Sequence, residues 1–178
     1  LWEVAKANKA DVEVVPLGID ATQQAILAGA VDGAIVREPA LTMIRERNPA
    51  ITLVADGDTL FPGQPGTVVA VTGAFADKHP EAVATIVAGV VEAADLLSKT
   101  PDAAVPHVGA ALGKGLVEPA LIAAALKSPA TRFLTDPRAI VEPARAMQAY
   151  QVKLGSLDKE LPFDGLFDPR FYEAATKK

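Results

Sequence analysis

The feature that most constrains this chain is a change of rhythm near Val71. Before it, short apolar runs alternate with short helical patterns. Val12-Glu13-Val14-Val15, Gly33-Ala34-Ile35-Val36, Ile51 to Ala55 and Thr67 to Val71 each read as a strand, recurring roughly every eighteen residues. Between the first two, Asp20 reads as a helix cap with Gln23 in capping-box position, and Gly29 as the stop. Glu38-Pro39 then opens a second helix, with proline at the first helical position. Such alternation is the pattern of an α/β fold with a parallel sheet.

After Val71 the strand signals cease. Helix starts are marked by Thr100-Pro101, Glu118-Pro119, Asp136-Pro137, Glu142-Pro143 and Asp168-Pro169. The clearest helix runs from Pro80 to about Ser98, with Val83, Ile86, Val87, Val90, Ala94 and Leu97 on one apolar face. Pro106 and Pro143 are expected to kink or split their helices.

This layout leaves several apolar helix faces in a second half with no sheet of its own to pack on. The expectation is that an upstream segment supplies that sheet. The opening agrees: Leu-Trp-Glu-Val-Ala-Lys-Ala-Asn-Lys is helical in composition, with neither initiator Met nor cap. A chain that leaves one sheet domain, builds another and returns has the plan of a bilobal binding protein. On this reading residues 1–66 are a second α/β lobe. Residues 67–178 are a return strand and the helical C-terminal part of the first.

Composition narrows the function classes. The 17 Lys+Arg against 22 Asp+Glu give a formal charge of −5, the wrong sign for a nucleic-acid partner. Half the residues are apolar and 22% charged, which suits a globular chain and excludes disorder. Zero Cys removes disulfides, thiolate metal sites and Cys nucleophiles together. No apolar run reaches the ~20 residues of a membrane helix. His79 and His107 stand alone, without metal spacing, and Gly113-Lys114-Gly115 lacks the rest of a phosphate loop.

The residues also resemble a family. Val12 to Pro39, with Ala28-Gly29-Ala30-Val31-Asp32-Gly33-Ala34 followed by Glu38-Pro39 as its most specific stretch, resembles the second lobe of substrate-binding proteins of ABC importers. The branch is the nitrate/sulfonate/taurine-type group. Gly66 to Val71 with Phe75-Ala76-Asp77-Lys78-His79-Pro80-Glu81 resembles its return strand and following helix. Leu154-Gly155 through Leu166-Phe167-Asp168-Pro169-Arg170-Phe171-Tyr172 resembles its C-terminal closure. The resemblance covers nearly all of this chain and about the last three-fifths of a usual member. It implies a type 2 periplasmic-binding-protein fold, two α/β lobes that close on a small solute and deliver it to an ABC permease and ATPase. It also implies a periplasmic or extracellular, membrane-tethered protein with its signal or anchor upstream, no enzymatic activity and no cofactor. Two alternatives share the fold: the ligand-sensing domain of a transcription regulator, and an enzyme that works without Cys.

In open parallel sheets, ligands sit beyond the carboxyl ends of strands, where helix N-termini aim free N–H groups. Here those places are Gly18 to Thr22 and Arg37-Glu38-Pro39. Arg37 reads as a guanidinium fork for an anionic solute, or as a surface residue paired to Asp32 or Glu38. Members of the resembled family more often carry an aromatic residue there, so the ligand type does not transfer through this position. Glu38 is a helix-start anion or a ligand contact. Asp20, Thr22 and Gln23 are capping groups that could also meet the cleft. In the Asp56 to Gly66 loop, Phe61 and Gln64 line either a cleft mouth or a surface connection near the hinge.

Overall fold

The computed structural model describes residues 11–177; the helical opening expected from Leu1 lies outside the described residues. Nine α-helices and one 3-10 turn are found among them. They are α1 (Ile19–Leu27), α2 (Ala40–Arg47), α3 (Gly57–Leu60), α4 (Gly73–Lys78), α5 (Pro80–Lys99), α6 (Pro101–Leu112), α7 (Pro119–Leu126), the 3-10 turn Pro137–Ile140, α8 (Val141–Lys153) and α9 (Arg170–Thr176).

The expected α/β character is not what the described residues show. The four apolar runs lie outside helices, and none forms a strand. Most of their large apolar side chains are exposed, from Val12 at 41% to Val54 at 95%, while Val36 and Ile51 are half-buried. The physical reason is that a strand meets its hydrogen-bonding needs only through a neighbour. Backbone bonds joining these four segments are absent among the described residues.

Helix boundaries follow local chemistry closely. After α1, Gly29 takes φ +69°, and Gly29 N–H and Ala30 N–H donate to the Ile26 and Ala25 carbonyls at 3.3 and 2.9 Å. This is a Schellman stop, where the left-handed conformation costs glycine little. The start of α1 departs from expectation. Gly18 occupies the N-cap and no side chain caps the helix; Asp20 lies in the first turn, and Gln23 is turned inward and buried. Asp20 is therefore two positions too far inside to cap. Pro39 likewise precedes α2 as its N-cap residue instead of opening it. Pro143 sits in the first turn of α8, where the missing N–H would have had no partner, so it does not split that helix. Pro106 lies within α6, which continues through it.

Packing proceeds serially. α1 meets α2, α2 meets α7, α7 meets α6, α6 meets α5, and α5 meets α4 and α9. The core between them is small-bodied: Ala40, Ala76, Ala94, Ala104 and Ala125 are buried beside Ile44, Val83 and Ile122. Short side chains let helices approach closely, and a Cβ on Gly109 of α6 would stand 3.4 Å from Ile122 Cδ1 of α7. On α5, Val83 is 4% exposed but Ile86 45% and Val90 36%, so only part of its apolar face is covered.

Two local motifs finish the C-terminal part. Asp136-Pro137-Arg138 and Asp168-Pro169-Arg170 share a hydrogen-bond pattern: the Asp Oδ1 accepts the Arg backbone N–H at 3.0 Å in each. The Arg fork then closes on the same carboxylate, with Nη2 to Oδ2 at 2.8 and 2.7 Å. Gln148 of α8 is buried and holds the following loop by both faces of its amide. Its Nε2 donates to the Leu161 carbonyl at 3.2 Å, and its Oε1 accepts Leu161 N–H at 2.9 Å.

Two predictions follow from these contacts. Gln148→Leu strands a backbone donor and acceptor, at about 1–3 kcal/mol for a buried unsatisfied group. Urea unfolding should report a loss in that range, with Gln148→Glu losing less because it keeps the acceptor. The second concerns acid. Hydrogen bonds from the Arg138 and Arg170 side chains hold the Asp136 and Asp168 carboxyls below their ordinary value of 3.8. A carboxyl depressed in the folded state stabilises the protein above its unfolded value, and that stabilisation disappears as pH falls through the folded value. The urea midpoint should therefore hold from neutrality down to about pH 4 and fall below it, and the Asp136→Asn/Asp168→Asn double variant should fall less steeply.

Candidate functional site

The sequence-predicted residues sit on two packed helices and one loop. α1 carries Asp20, Thr22 and Gln23, and Arg37 and Glu38 immediately precede α2, which packs against α1. Gln64 is engaged elsewhere: its Nε2 donates to the Pro143 carbonyl of α8.

At the start of α2 the helix closes on itself. Leu41 N–H donates to the Arg37 carbonyl at 3.1 Å and Met43 N–H to the Pro39 carbonyl at 3.0 Å. Thr42 N–H donates to Glu38 Oε2 at 3.1 Å. Glu38 thus acts on its own helix, satisfying an orphan donor and placing negative charge at the positive end of the dipole. What this corner still offers outward is Arg37, which is exposed. Among the described residues it makes no ion pair with Asp32, Glu38 or any other carboxylate.

The start of α1 is open in a different way. Thr22 Oγ1 turns back to the Gly18 carbonyl at 2.9 Å and is occupied there. With no side-chain cap, the first N–H groups of α1 have no side-chain acceptor among the described residues and can meet one from outside. An uncapped helix start and an exposed guanidinium both favour an anion.

The concavities are shallow. One of about 260 Å³ lies at Glu38, Leu41, Thr42, Arg45, Glu46, Pro49 and Ser128. A larger one of about 510 Å³ runs along the C-terminal half of α5, at Gly89, Glu92, Ala93, Asp95, Leu96 and Thr100, and contains none of the predicted residues. Among the described residues no group of His, Asp and Glu is arranged to hold a metal ion. His79 lies against the Phe75 ring, centroids 5.1 Å apart.

The chain matches the NMT1-like family over residues 4–108, more than half its length. It belongs to that family. NMT1-like proteins have a periplasmic-binding-protein type of fold, bind small solutes and work with ABC transporters, typically in the periplasm or outside the cell. The matched span includes α1, the Arg37-Glu38 corner, α2 and the whole of α5. No curated protein and no solved structure matches the chain. No helix among the described residues is long and apolar enough to cross a membrane.

The contrast between the neighbours Arg37 and Glu38 is testable without any solute. Glu38→Ala removes a helix-start acceptor, which costs about 1 kcal/mol, so its urea midpoint should drop. Arg37→Ala breaks no ion pair or side-chain hydrogen bond among the described residues and should stay within about 0.5 kcal/mol of the parent. Equal losses in both variants would mean that Arg37 is structural.

Proposed function

We propose that this chain is part of the solute-capturing component of an ABC-type import system. It takes a small anionic solute between two lobes and hands it to a membrane permease and its ATPase. Membership of the NMT1-like family over residues 4–108 carries the reading. The anionic preference rests on Arg37, exposed and free of ion pairs among the described residues, and on the start of α1, which has no side-chain cap. In this reading Arg37 supplies the fork, and the free N–H groups at Ile19 to Ala21 supply further donors. Asp20 is exposed beside those donors and tunes the corner against bulky or doubly charged anions. Thr22 and Gln23 shape the wall of α1, and Glu38 keeps the α2 start in place behind Arg37. Gln64 serves the closing geometry through its bond to α8.

A desolvated hydrogen bond to a charged group contributes about 1.5–3 kcal/mol. Arg37→Ala should therefore weaken binding roughly 10- to 150-fold, each 1.4 kcal/mol being tenfold. Arg37→Lys should restore only part, because a point charge replaces a fork. Calorimetric titration with sulfonates, carboxylates, nitrate and neutral aromatics reads the outcome. A neutral tightest ligand whose affinity Arg37→Ala leaves within twofold would overturn the anionic preference.

A further inference from the structure

Helix packing in this chain is serial, running α1–α2–α7–α6–α5–α9, and continues to the 3-10 turn and α8 through Arg138 Nη1, 3.1 Å from Glu173 Oε1 of α9. The α1–α2 end is joined covalently to the segment 56–66, and that segment returns to the opposite end of the series. Asp58 Oδ2 lies 3.1 Å from Arg132 Nη2. The Phe61 ring meets the Tyr150 ring of α8, with centroids 5.4 Å apart and planes tilted by 59°. Gln64 Nε2 donates to the Pro143 carbonyl. At Gly63, φ is +72° and a Cβ would stand 2.9 Å from Pro143 Cγ, so only glycine fits between the segment and the helix. Asp58 Oδ1 meanwhile accepts Gly63 N–H at 2.8 Å, holding the segment in a tight hook.

We propose that residues 58–64 form a strap that closes the serial helix array into a ring and so fixes the separation of α1–α2 from α8. The strap lies just before the Gly66–Val71 stretch, so whatever sets its seat also sets where the chain passes from its first part to its second. Its components differ in kind. The Asp58–Arg132 pair is exposed, with side chains 42% and 62% accessible, and holds weakly. The aromatic pair and the Gly63–Pro143 approach are half-buried and specific. Without the strap, the main helix contact that tethers α1 and α2 to the rest, among the described residues, is that of α2 with α7.

The absence of Cys makes the test direct. Spin labels at Gln24→Cys on α1 and Ala149→Cys on α8, both exposed positions, report their separation by pulsed electron-electron resonance. In the intact protein without added ligand, Phe61→Ala should move the distance distribution outward and broaden it. Exchange of the Gly63 amide should quicken roughly tenfold, as expected for loss of an aromatic pair. Asp58→Asn/Arg132→Gln removes only the ion pair and should give a smaller broadening that 1 M salt reproduces in the parent. Circular dichroism establishes that each variant is folded. A distribution unchanged in both folded variants would overturn the strap. Should Phe61→Ala not fold, an unchanged distribution in the ion-pair variant and in the parent at 1 M salt would overturn it equally. Loss of solute binding with unchanged distances would speak against the strap while leaving the solute reading intact.

Discussion

Every part of this molecule depends on where backbone N–H and C=O groups find partners. A helix answers that need within itself, one bond per residue, whatever lies around it. A parallel strand answers it only through neighbours on its flanks. In this chain the self-sufficient elements are formed, from the short α3 to the twenty residues of α5. The four apolar runs that call for neighbours form no strand and are mostly exposed instead. The helices then assemble on one another through small residues, and side-chain-to-backbone bonds fasten the loops between them.

This division also explains what could be read in advance. Helix starts at Pro80, Pro101 and Pro119 and the stop at Gly29 were legible because each is decided within a few residues. Capping was less so. Asp20 and Gly18 are both competent N-caps, and the choice between them turns on a two-residue shift that composition does not resolve. Strand pairing is non-local, so alternating apolar residues at 12–15 or 67–71 state a capacity and not an outcome. The repeated Asp-Pro-Arg triplet was present in the sequence as a signal for two fork-closed helix entries, and only its Asp-Pro half was used.

For the candidate site, position in the chain was informative and side-chain engagement was not. Arg37 and Glu38 were placed correctly before a helix, yet only coordinates separate the residue spent on the Thr42 amide from the one left facing outward. Gln64 was singled out as a polar group in a glycine- and proline-rich loop, and its partner lies 79 positions away on α8. Gln148 escaped notice because a glutamine in a helical pattern looks like any exposed polar residue. Its burial is decided by the loop that folds over it.

The alanine lining of the helix contacts has a mechanical side. Interfaces built from Leu or Phe interlock, and sliding one helix along another forces several side chains through eclipsed rotamers. Ala40, Ala94, Ala104 and Ala125 have no such torsions to change. Their contact surfaces are low ridges with little to unmesh, so axial slip between helices meets a small barrier. Such an array deforms by shear, many small translations adding along the series. Where it must not deform, it is pinned by bonds of fixed geometry, as at Leu161 beneath the amide of Gln148.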